Sequence, residues 1–217
     1  MKMRLLIGGI VLVKLAGTAS AAVVVDTDWT VNTAIPEGNP VGITSSETFS
    51  GLASGAITDV SVDLNISGGY NGGLYGYLVL QDANGNTVQE MLLNLVGAST
   101  ANPFGSSGSG MDVTLSDSGT ANGSIHNTSG NPTGTWQPDS VNALDGTFGG
   151  LTANGTWTLF LEDQDSGGGT STLNSWGLDI SVASVPEASR TGLLSGVCGL
   201  LVVTGVTWHQ RRKLQAS

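Results

Sequence analysis

Regular alternation of apolar and polar residues is the feature that most restricts the fold of this chain. In the stretch DVSVDLNI every second residue, from Val60 to Ile66, is apolar. The stretches GTWTLFLED (155–163) and NSWGLDISV (174–182) repeat this pattern. Because successive side chains of a β-strand point to opposite faces, a period of two predicts three strands that are each buried on one side.

Five further stretches predict strands. LYGYLVLQD and NTVQEMLLNL are separated by Ala-Asn-Gly, and Asn84-Gly85 favours a hairpin turn because both residues tolerate positive φ. The weaker stretches are VVVDTDWTV, SETFSGL and MDVTLSD, and no segment of residues 22–184 has a convincing helical period. About eight strands joined by turns rich in Gly, Asn and Ser predict an all-β fold, an antiparallel sandwich.

The first residues carry the features of an export signal. Lys2 and Arg4 precede an apolar run, and Ala19-Ser20-Ala21 fits the A-x-A pattern of a cleavage site. We therefore predict a signal peptide over residues 1–21, with the mature chain beginning at the next residue. The alternative interpretation is an uncleaved N-terminal anchor.

A second apolar segment lies near the other end of the sequence. Residues 191–208 contain no charged side chain, and their length is near the lower limit for a helix that crosses a hydrocarbon layer of about 30 Å. The basic residues at 211–213 follow, and the positive-inside rule places such residues in the cytoplasm. We predict a single transmembrane helix over 191–208 and a basic tail at 211–213, with the preceding domain outside. The alternative is a buried C-terminal helix of a soluble domain.

The remaining residues, 22–184, have the length of one domain and an extreme charge balance. All seven Lys and Arg residues lie outside this range, whereas only Glu187 of the 17 Asp and Glu residues does, which leaves 16 acids inside it. Nucleic acid is excluded as a partner because no cationic side chain is present to neutralise phosphates. Cations, neutral surfaces such as uncharged polysaccharide, or a basic partner remain. The alternative is that the acids only keep an exported domain soluble.

The predicted domain offers little for catalysis. Cys198 lies in the apolar tail, so residues 22–184 contain neither a disulfide nor a thiol nucleophile. A Ser-His-Asp triad requires a histidine base, and His126 in the loop NGSIHNTSGNP has no flanking catalytic pattern. No G-x-S-x-G elbow is present in the sequence. We therefore predict that the domain is not an enzyme.

One acidic loop is a candidate metal site. The segment LEDQDSGGG places Glu162, Asp163 and Asp165 close together in the sequence. Ca²⁺ takes about six to eight oxygen ligands from carboxylates and carbonyls, so this loop predicts a calcium site. A glycosidase also needs paired carboxylates, but clustering by chance is expected among 16 acids. The alternative is an acidic turn that bends at Gly167–Gly169.

The strand pattern resembles a known family. AITDVSVDLNISGGYNGGLYGYLVL, then GTWQPD, then ANGTWTLFLEDQDSGGGTSTLNSWGLDI are similar to the P/Homo B domain over roughly residues 34–182. That domain is a jelly-roll β-sandwich beside the catalytic domain of subtilisin-like proprotein convertases, and it occurs in secreted bacterial proteins. The resemblance implies a jelly roll with calcium-binding relatives, in which Asp163 occupies the recurring acidic position. Gly68 and Gly73 stand where the family usually has a histidine and an aspartate.

The segment after the predicted domain resembles the PEP-CTERM sorting signal over residues 185–217. Val185, Pro186, Glu187 and Ala188 match its V-P-E-P motif except at the last position, and the apolar and basic segments follow. This resemblance implies processing by exosortase, a membrane cysteine protease of bacteria that make extracellular polysaccharide. The expected location is the cell surface or the extracellular matrix, after export across the inner membrane and anchoring by the C-terminal helix.

These observations predict an exported, non-catalytic β-sandwich protein of the cell surface or extracellular matrix that binds glycan or protein. Exosortase is the predicted processing partner, and extracellular polysaccharide or a surface protein is the predicted ligand. Tyr70, Tyr75 and Trp136 are candidate sugar platforms, although Trp136 could instead fill the core. The alternative function is an accessory or stabilising domain of a secreted subtilisin-like serine protease system.

Overall fold

The structure is a computed structural model that describes residues 21–140 and 142–184. The sorting motif at 185–188, the apolar segment 191–208, the basic tail and all but the last residue of the predicted signal peptide lie outside the described residues. In the part of the chain that is described, no helix is long and apolar enough to cross a membrane.

Nine β-strands are present in the described residues and form two sheets. Their bounds are β1 Ala21–Ile35, β2 Ile43–Phe49, β3 Ile57–Ser67, β4 Leu74–Asp82, β5 Thr87–Asn94, β6 Met111–Ser116, β7 Thr133–Trp136, β8 Gly155–Asp163 and β9 Ser171–Ala183. The five-stranded sheet has the order β1-β9-β3-β6-β7, and the four-stranded sheet has the order β2-β8-β4-β5. Within the described residues, helical structure is limited to the short α1, Leu144–Phe148, and three 3₁₀ turns, Asn71–Gly73, Gly119–Ala121 and Ile125–Asn127.

The all-β prediction and the eight predicted strands are confirmed, with one correction to the pairing. Strand β7 pairs with β6 in parallel, whereas the other described strand pairs are antiparallel. The sequence did not predict β7 because it has only four residues and no alternation, and Gly134 within it has a φ of +77°. The predicted hairpin joins β4 to β5, but of Asn84 and Gly85 only Gly85 has a positive φ.

The inward faces of both sheets form one hydrophobic core. The alternating residues of β3, β8 and β9 predicted to face inward are all buried, including Trp157 and Trp176. The Trp157 indole N–H donates to the Ala153 carbonyl at 3.1 Å, and that of Trp176 donates to the Ser45 hydroxyl at 2.9 Å. Because these polar atoms have partners, both indoles are buried at no hydrogen-bonding cost, and each contributes on the order of 2–3 kcal/mol.

Candidate functional site

Three loops at one end of the sandwich enclose a cleft of about 250 Å³. We call it the loop-end cleft, and its loops follow β3, β5 and β8. Loops at the end of a rigid sheet scaffold are common positions for binding residues. The residues that line the cleft are Gly72, Gly73, Leu95, Pro103, Phe104, Gln164 and Asp165.

Phe104 lines this cleft, and it is 81% exposed to solvent. The loop that carries it is held by several hydrogen bonds and does not depend on burial of the ring. The Asn102 side-chain amide donates to the Gly105 carbonyl at 2.7 Å, and Ser99 and Asn102 exchange backbone hydrogen bonds of 2.9 and 3.1 Å. The Ser106 amide donates to the Val96 carbonyl at 2.7 Å. The exposed ring is therefore presented by a pre-ordered backbone.

Two glycines allow the Phe104 loop to approach the loop after β3. The Gly72 amide donates to the Ser106 carbonyl at 2.9 Å, and a Cβ on Gly72 would lie 2.2 Å from the Phe104 carbonyl oxygen. Gly105 has a φ of +67°, and a Cβ there would lie 2.8 Å from the Gly72 Cα. Since neither position has room for a side chain, both glycines are required for this wall of the cleft.

A buried asparagine joins the loops behind the cleft. Asn71 is fully buried, and its side-chain amide donates to the carbonyls of Gly110 at 2.9 Å and Gly130 at 2.8 Å. Its side-chain oxygen accepts from the Gly110 amide at 3.1 Å. Ser106 adds to this network by accepting from the Gly130 amide at 3.0 Å. Sequence patterns did not predict these roles, because Asn and Ser in glycine-rich segments are typical of any turn.

Polar groups and a strained backbone complete the cleft. The Gln164 amide N–H donates to the Gly73 carbonyl at 2.8 Å, and its side chain donates to Glu162 Oε1 at 2.7 Å. Leu95 has a φ of +56°, which is uncommon for a residue other than glycine. Residues held in such conformations are frequent at binding sites, where the surrounding structure fixes them. The position of Leu95 in the cleft wall therefore supports a functional interpretation.

Of the three carboxylates predicted to bind calcium, Glu162 and Asp163 lie on opposite faces of β8, and Asp165 follows in the loop. Asp163 faces inward and is fully buried, and it accepts from the Ser171 hydroxyl and the Asp165 amide, both at 3.1 Å. The Glu162 side chain lies on the opposite face of β8, next to Tyr75 of β4, because successive side chains of a strand alternate between faces. Asp165 accepts from the Gly167 amide at 3.1 Å.

These positions do not assemble a set of metal ligands. Within residues 21–140 and 142–184, no group of three or more His, Cys, Asp or Glu side chains is arranged to hold a metal ion. Burial raises the pKa of Asp163 above its ordinary value, the Ser171 and Asp165 hydrogen bonds oppose this shift, and the nearby Asp165 and Glu37 carboxylates add to it. Calcium binding at this loop stays a prediction from the sequence.

Gly68 and Gly73 occupy positions that have no room for a side chain. A Cβ on Gly73 would lie 2.3 Å from Asp163 Oδ1, so the buried carboxylate occupies the space of a side chain there. Gly68 has a φ of +74°, and a Cβ on it would lie 2.4 Å from the Thr170 carbonyl oxygen. Neither position accepts a larger residue with this backbone.

The predicted sugar platforms do not line the cleft. Tyr70 is 39% exposed and packs over Gly168, whose Cβ would lie 2.4 Å from the ring. Tyr75 is half-buried on the outer face of the four-stranded sheet. Trp136 is half-buried on β7, where its indole donates to the Thr133 carbonyl at 2.9 Å. Phe104 is the exposed aromatic residue that the sequence analysis missed.

His126 forms the one ion pair found among the described residues. Its Nδ1 lies 2.7 Å from Asp139 Oδ2 and 3.1 Å from the Asn94 carbonyl oxygen. The Ser124 hydroxyl accepts from the His126 backbone amide at 3.2 Å. These contacts hold the His126 loop to Asp139 and to the end of β5.

Comparison with known proteins gives structural neighbours only. No family model matches the chain, and no curated protein matches it. A serine protease of Aeromonas sobria in complex with a chaperone is similar over 76% of this chain and 28% of the matched chain, with 16% identity and a TM-score of 0.43. The same protease alone is similar over 74% and 27%, with 16% identity and a TM-score of 0.41.

The chain therefore spans little more than a quarter of the protease chains that it matches. Similarity at this level carries no argument about activity. By its fold, the chain contains an all-β, sandwich-like domain with two sheets that are mostly antiparallel.

Proposed function

We propose that this chain is an exported, non-catalytic binding domain that holds a neutral glycan in the loop-end cleft. The observation that carries the proposal is Phe104, which is 81% exposed although its loop is fixed by hydrogen bonds. An aromatic ring packs against the C–H face of a sugar, and the neighbouring Gln164 and Asp165 provide hydrogen-bonding groups for its hydroxyls. Anionic sugars are disfavoured because Asp165 lines the same cleft and no Lys or Arg lies between residues 22 and 184.

We further propose a jelly roll similar to the P/Homo B domain. In a jelly roll, two Greek keys leave alternate strands in two facing four-stranded sheets. The order β1-β9-β3-β6 opposite β2-β8-β4-β5 supports this description, with β7 as an addition at one edge. The resemblance of the sequence over residues 34–182 supports the same assignment.

The alternative function is an accessory domain of a serine protease system. Both structural neighbours are serine-protease chains, so their names agree better with this alternative than with glycan binding. Their TM-scores of 0.43 and 0.41 are too low for that agreement to carry an argument. The discriminating measurement is the loss of a protease's thermal stability when this chain is withheld.

Export and sorting form a separate part of the proposal. The signal peptide over residues 1–21 and the motif at Val185–Ala188 support export and processing by exosortase, which would leave the domain on the cell surface or in the matrix. Intact-mass measurement of the protein from its native host tests this. A mature protein that still carries Arg212 contradicts processing at the motif.

The test of glycan binding uses the full-length protein in detergent and a panel of neutral polysaccharides: cellulose, laminarin, dextran and galactomannan. Affinity electrophoresis should show retention by at least one of them, and Phe104→Ala should weaken binding about tenfold or more, as loss of a central aromatic anchor does. The matched control is Val23→Ala, which removes an apolar side chain that is 66% exposed and lies near the start of β1, outside the cleft. Absence of retention by every polysaccharide, or equal retention of both variants, contradicts the proposal.

A further inference from the structure

The outer face of the four-stranded sheet carries three neighbouring aromatic rings. Tyr75 and Tyr77 point outward from β4, and Phe160 lies directly opposite Tyr77 on β8. The rings of Tyr77 and Phe160 stack with centroids 4.7 Å apart and planes 17° apart. Tyr75 meets Tyr77 edge to face, with centroids 6.2 Å apart. We call these three residues the aromatic strip.

Polar, uncharged side chains follow the aromatic strip along β2 and β8, and Glu162 lies beside Tyr75 at its other end. The next outward positions on β2 and β8 form hydroxyl pairs, Ser46 with Thr158 at 2.8 Å and Thr48 with Thr156 at 2.9 Å. All three rings of the strip are half-buried, so part of each remains open to solvent. A surface that combines aromatic carbon with rows of hydroxyl groups matches the two chemical faces of a neutral sugar.

The aromatic strip is continuous with the loop-end cleft. Tyr75 lies opposite Glu162, whose Oε1 accepts from the side chain of Gln164 at 2.7 Å, and Gln164 lines the cleft. On its other side Tyr75 pairs with Asn94, the residue before Leu95 in the cleft wall. One surface therefore leads from Phe104 past Tyr75 to the Tyr77–Phe160 pair.

The length of this surface favours a linear ligand over a single sugar. Outward residues along one strand repeat at about 6.6–6.8 Å, so Tyr75 and Tyr77 present rings at successive positions along a line. A single sugar cannot contact both the cleft and the far end of such a line, whereas a linear polymer can. No Lys or Arg occurs between residues 22 and 184, so an anionic polymer is disfavoured, and the aromatic carbon and hydroxyl groups of this surface match an uncharged one.

We propose that the aromatic strip supplies further subsites beyond the loop-end cleft, so that the domain binds the interior of a linear neutral polysaccharide over several sugar units. This inference rests on the proposed function, because it takes the cleft to be the first sugar subsite. It adds that affinity depends on chain length, and that Tyr77 and Phe160 matter only for long ligands.

The experiment measures affinity against ligand length by calorimetry on the full-length protein in detergent. The probes are a disaccharide and a hexasaccharide prepared from whichever of cellulose, laminarin, dextran or galactomannan retains the protein. The hexasaccharide should bind about tenfold more tightly than the disaccharide, since it gains the aromatic contacts. Tyr77→Ala should remove this difference without changing disaccharide affinity, whereas Phe104→Ala should weaken both ligands.

Tyr77→Phe guards against a folding defect, because it retains the ring and should keep the dependence on length. Trp136→Ala is the matched control for loss of a half-buried aromatic residue outside this surface. Equal affinity for both lengths, or a Tyr77→Ala variant that binds the hexasaccharide like the wild type, overturns the inference. The cleft proposal then still stands if Phe104→Ala weakens binding. Failure of every neutral polysaccharide to bind overturns both.

Discussion

The two outward faces of this sandwich-like domain share one strand pattern but have opposite chemistry. On the five-stranded sheet the outward positions of β1, β3 and β9 include the carboxylates of Asp26, Asp63 and Asp179. On the four-stranded sheet the corresponding positions of β4 and β8 carry Tyr77 and Phe160. Alternation fixes which residues are buried, so the outer positions are free to differ. The four-stranded sheet therefore presents aromatic carbon where the five-stranded sheet presents carboxylates.

The acidic face carries an electrostatic cost. Asp28 and Asp63 flank Gly177, where a Cβ would lie 1.9 Å from Asp28 Oδ1, so the carboxylate extends across the glycine. Burial raises the pKa of Asp28, and the charges of Asp63 and Asp26 raise it further. Burial also raises the pKa of Asp179, followed by the same two neighbours. These shifts show that ionisation is disfavoured on this face in the folded state.

The largest expected loss of stability comes from placing a charge on the aromatic face. Phe160→Asp removes the stacked partner of Tyr77 and places a carboxylate near Glu162. We expect a loss of about 2 kcal/mol of stability, from the ring contact and the half-buried apolar area, or roughly 4–8 °C in Tm. Thermal unfolding followed by circular dichroism measures it.

Thr158→Asp is the matched control, because it places the same charge at the next outward position of β8 without removing a ring. We expect it to cost less than about 1 kcal/mol. Equal losses from the two variants contradict the view that ring packing stabilises this face.

The second prediction concerns pH. A carboxyl group whose pKa is higher in the folded state binds its proton more tightly there, so stability rises as the pH falls. The pKa is raised above the ordinary 3.8 for Asp28, Asp139, Asp145, Asp163 and Asp179, with burial as the largest cause in each case. The gain should develop as the pH falls from 7 through these raised values and be complete below 3.8.

We expect about 1 kcal/mol between pH 7 and pH 4, or roughly 3 °C in Tm, after allowing for solvent screening of the exposed groups. The pKa of Asp82 is lowered instead, so its contribution to stability depends on pH in the opposite direction. Hydrogen bonds from Asn86 lower its pKa, so its contribution is lost only below 3.8. The double variant Asp28→Asn and Asp179→Asn should reduce the gain at pH 4. A wild-type Tm that falls steadily from pH 7 to pH 4 contradicts this account.

The sequence predicted the strands better than it predicted the site. Alternation depends on neighbouring residues, so the eight strands and their buried faces were visible. Phe104 lies in ANPFGSSGSG, which has no periodicity, and its exposure depends on bonds such as that from Gly72 to Ser106. Such long-range contacts leave no local pattern. One signal was present but unused: the alternation of β8 already separates Glu162 from Asp163.

The smallest expected effect tests the acidic face alone. Asp28→Asn removes one carboxylate from the group that it forms with Asp63 and Asp26, while the amide keeps the shape of the side chain. We expect a gain of about 0.5 kcal/mol at pH 7 and low salt, since exposed charge pairs are worth up to about 1 kcal/mol. Asp28→Glu is the control, because it keeps the charge and should give no gain. The gain should shrink as sodium chloride is added, because the Debye length falls to about 3 Å at 1 M salt. A gain that is independent of salt would mean that Asp28→Asn acts through packing against Gly177, and the contrast between the two faces would then be one of shape and not of charge.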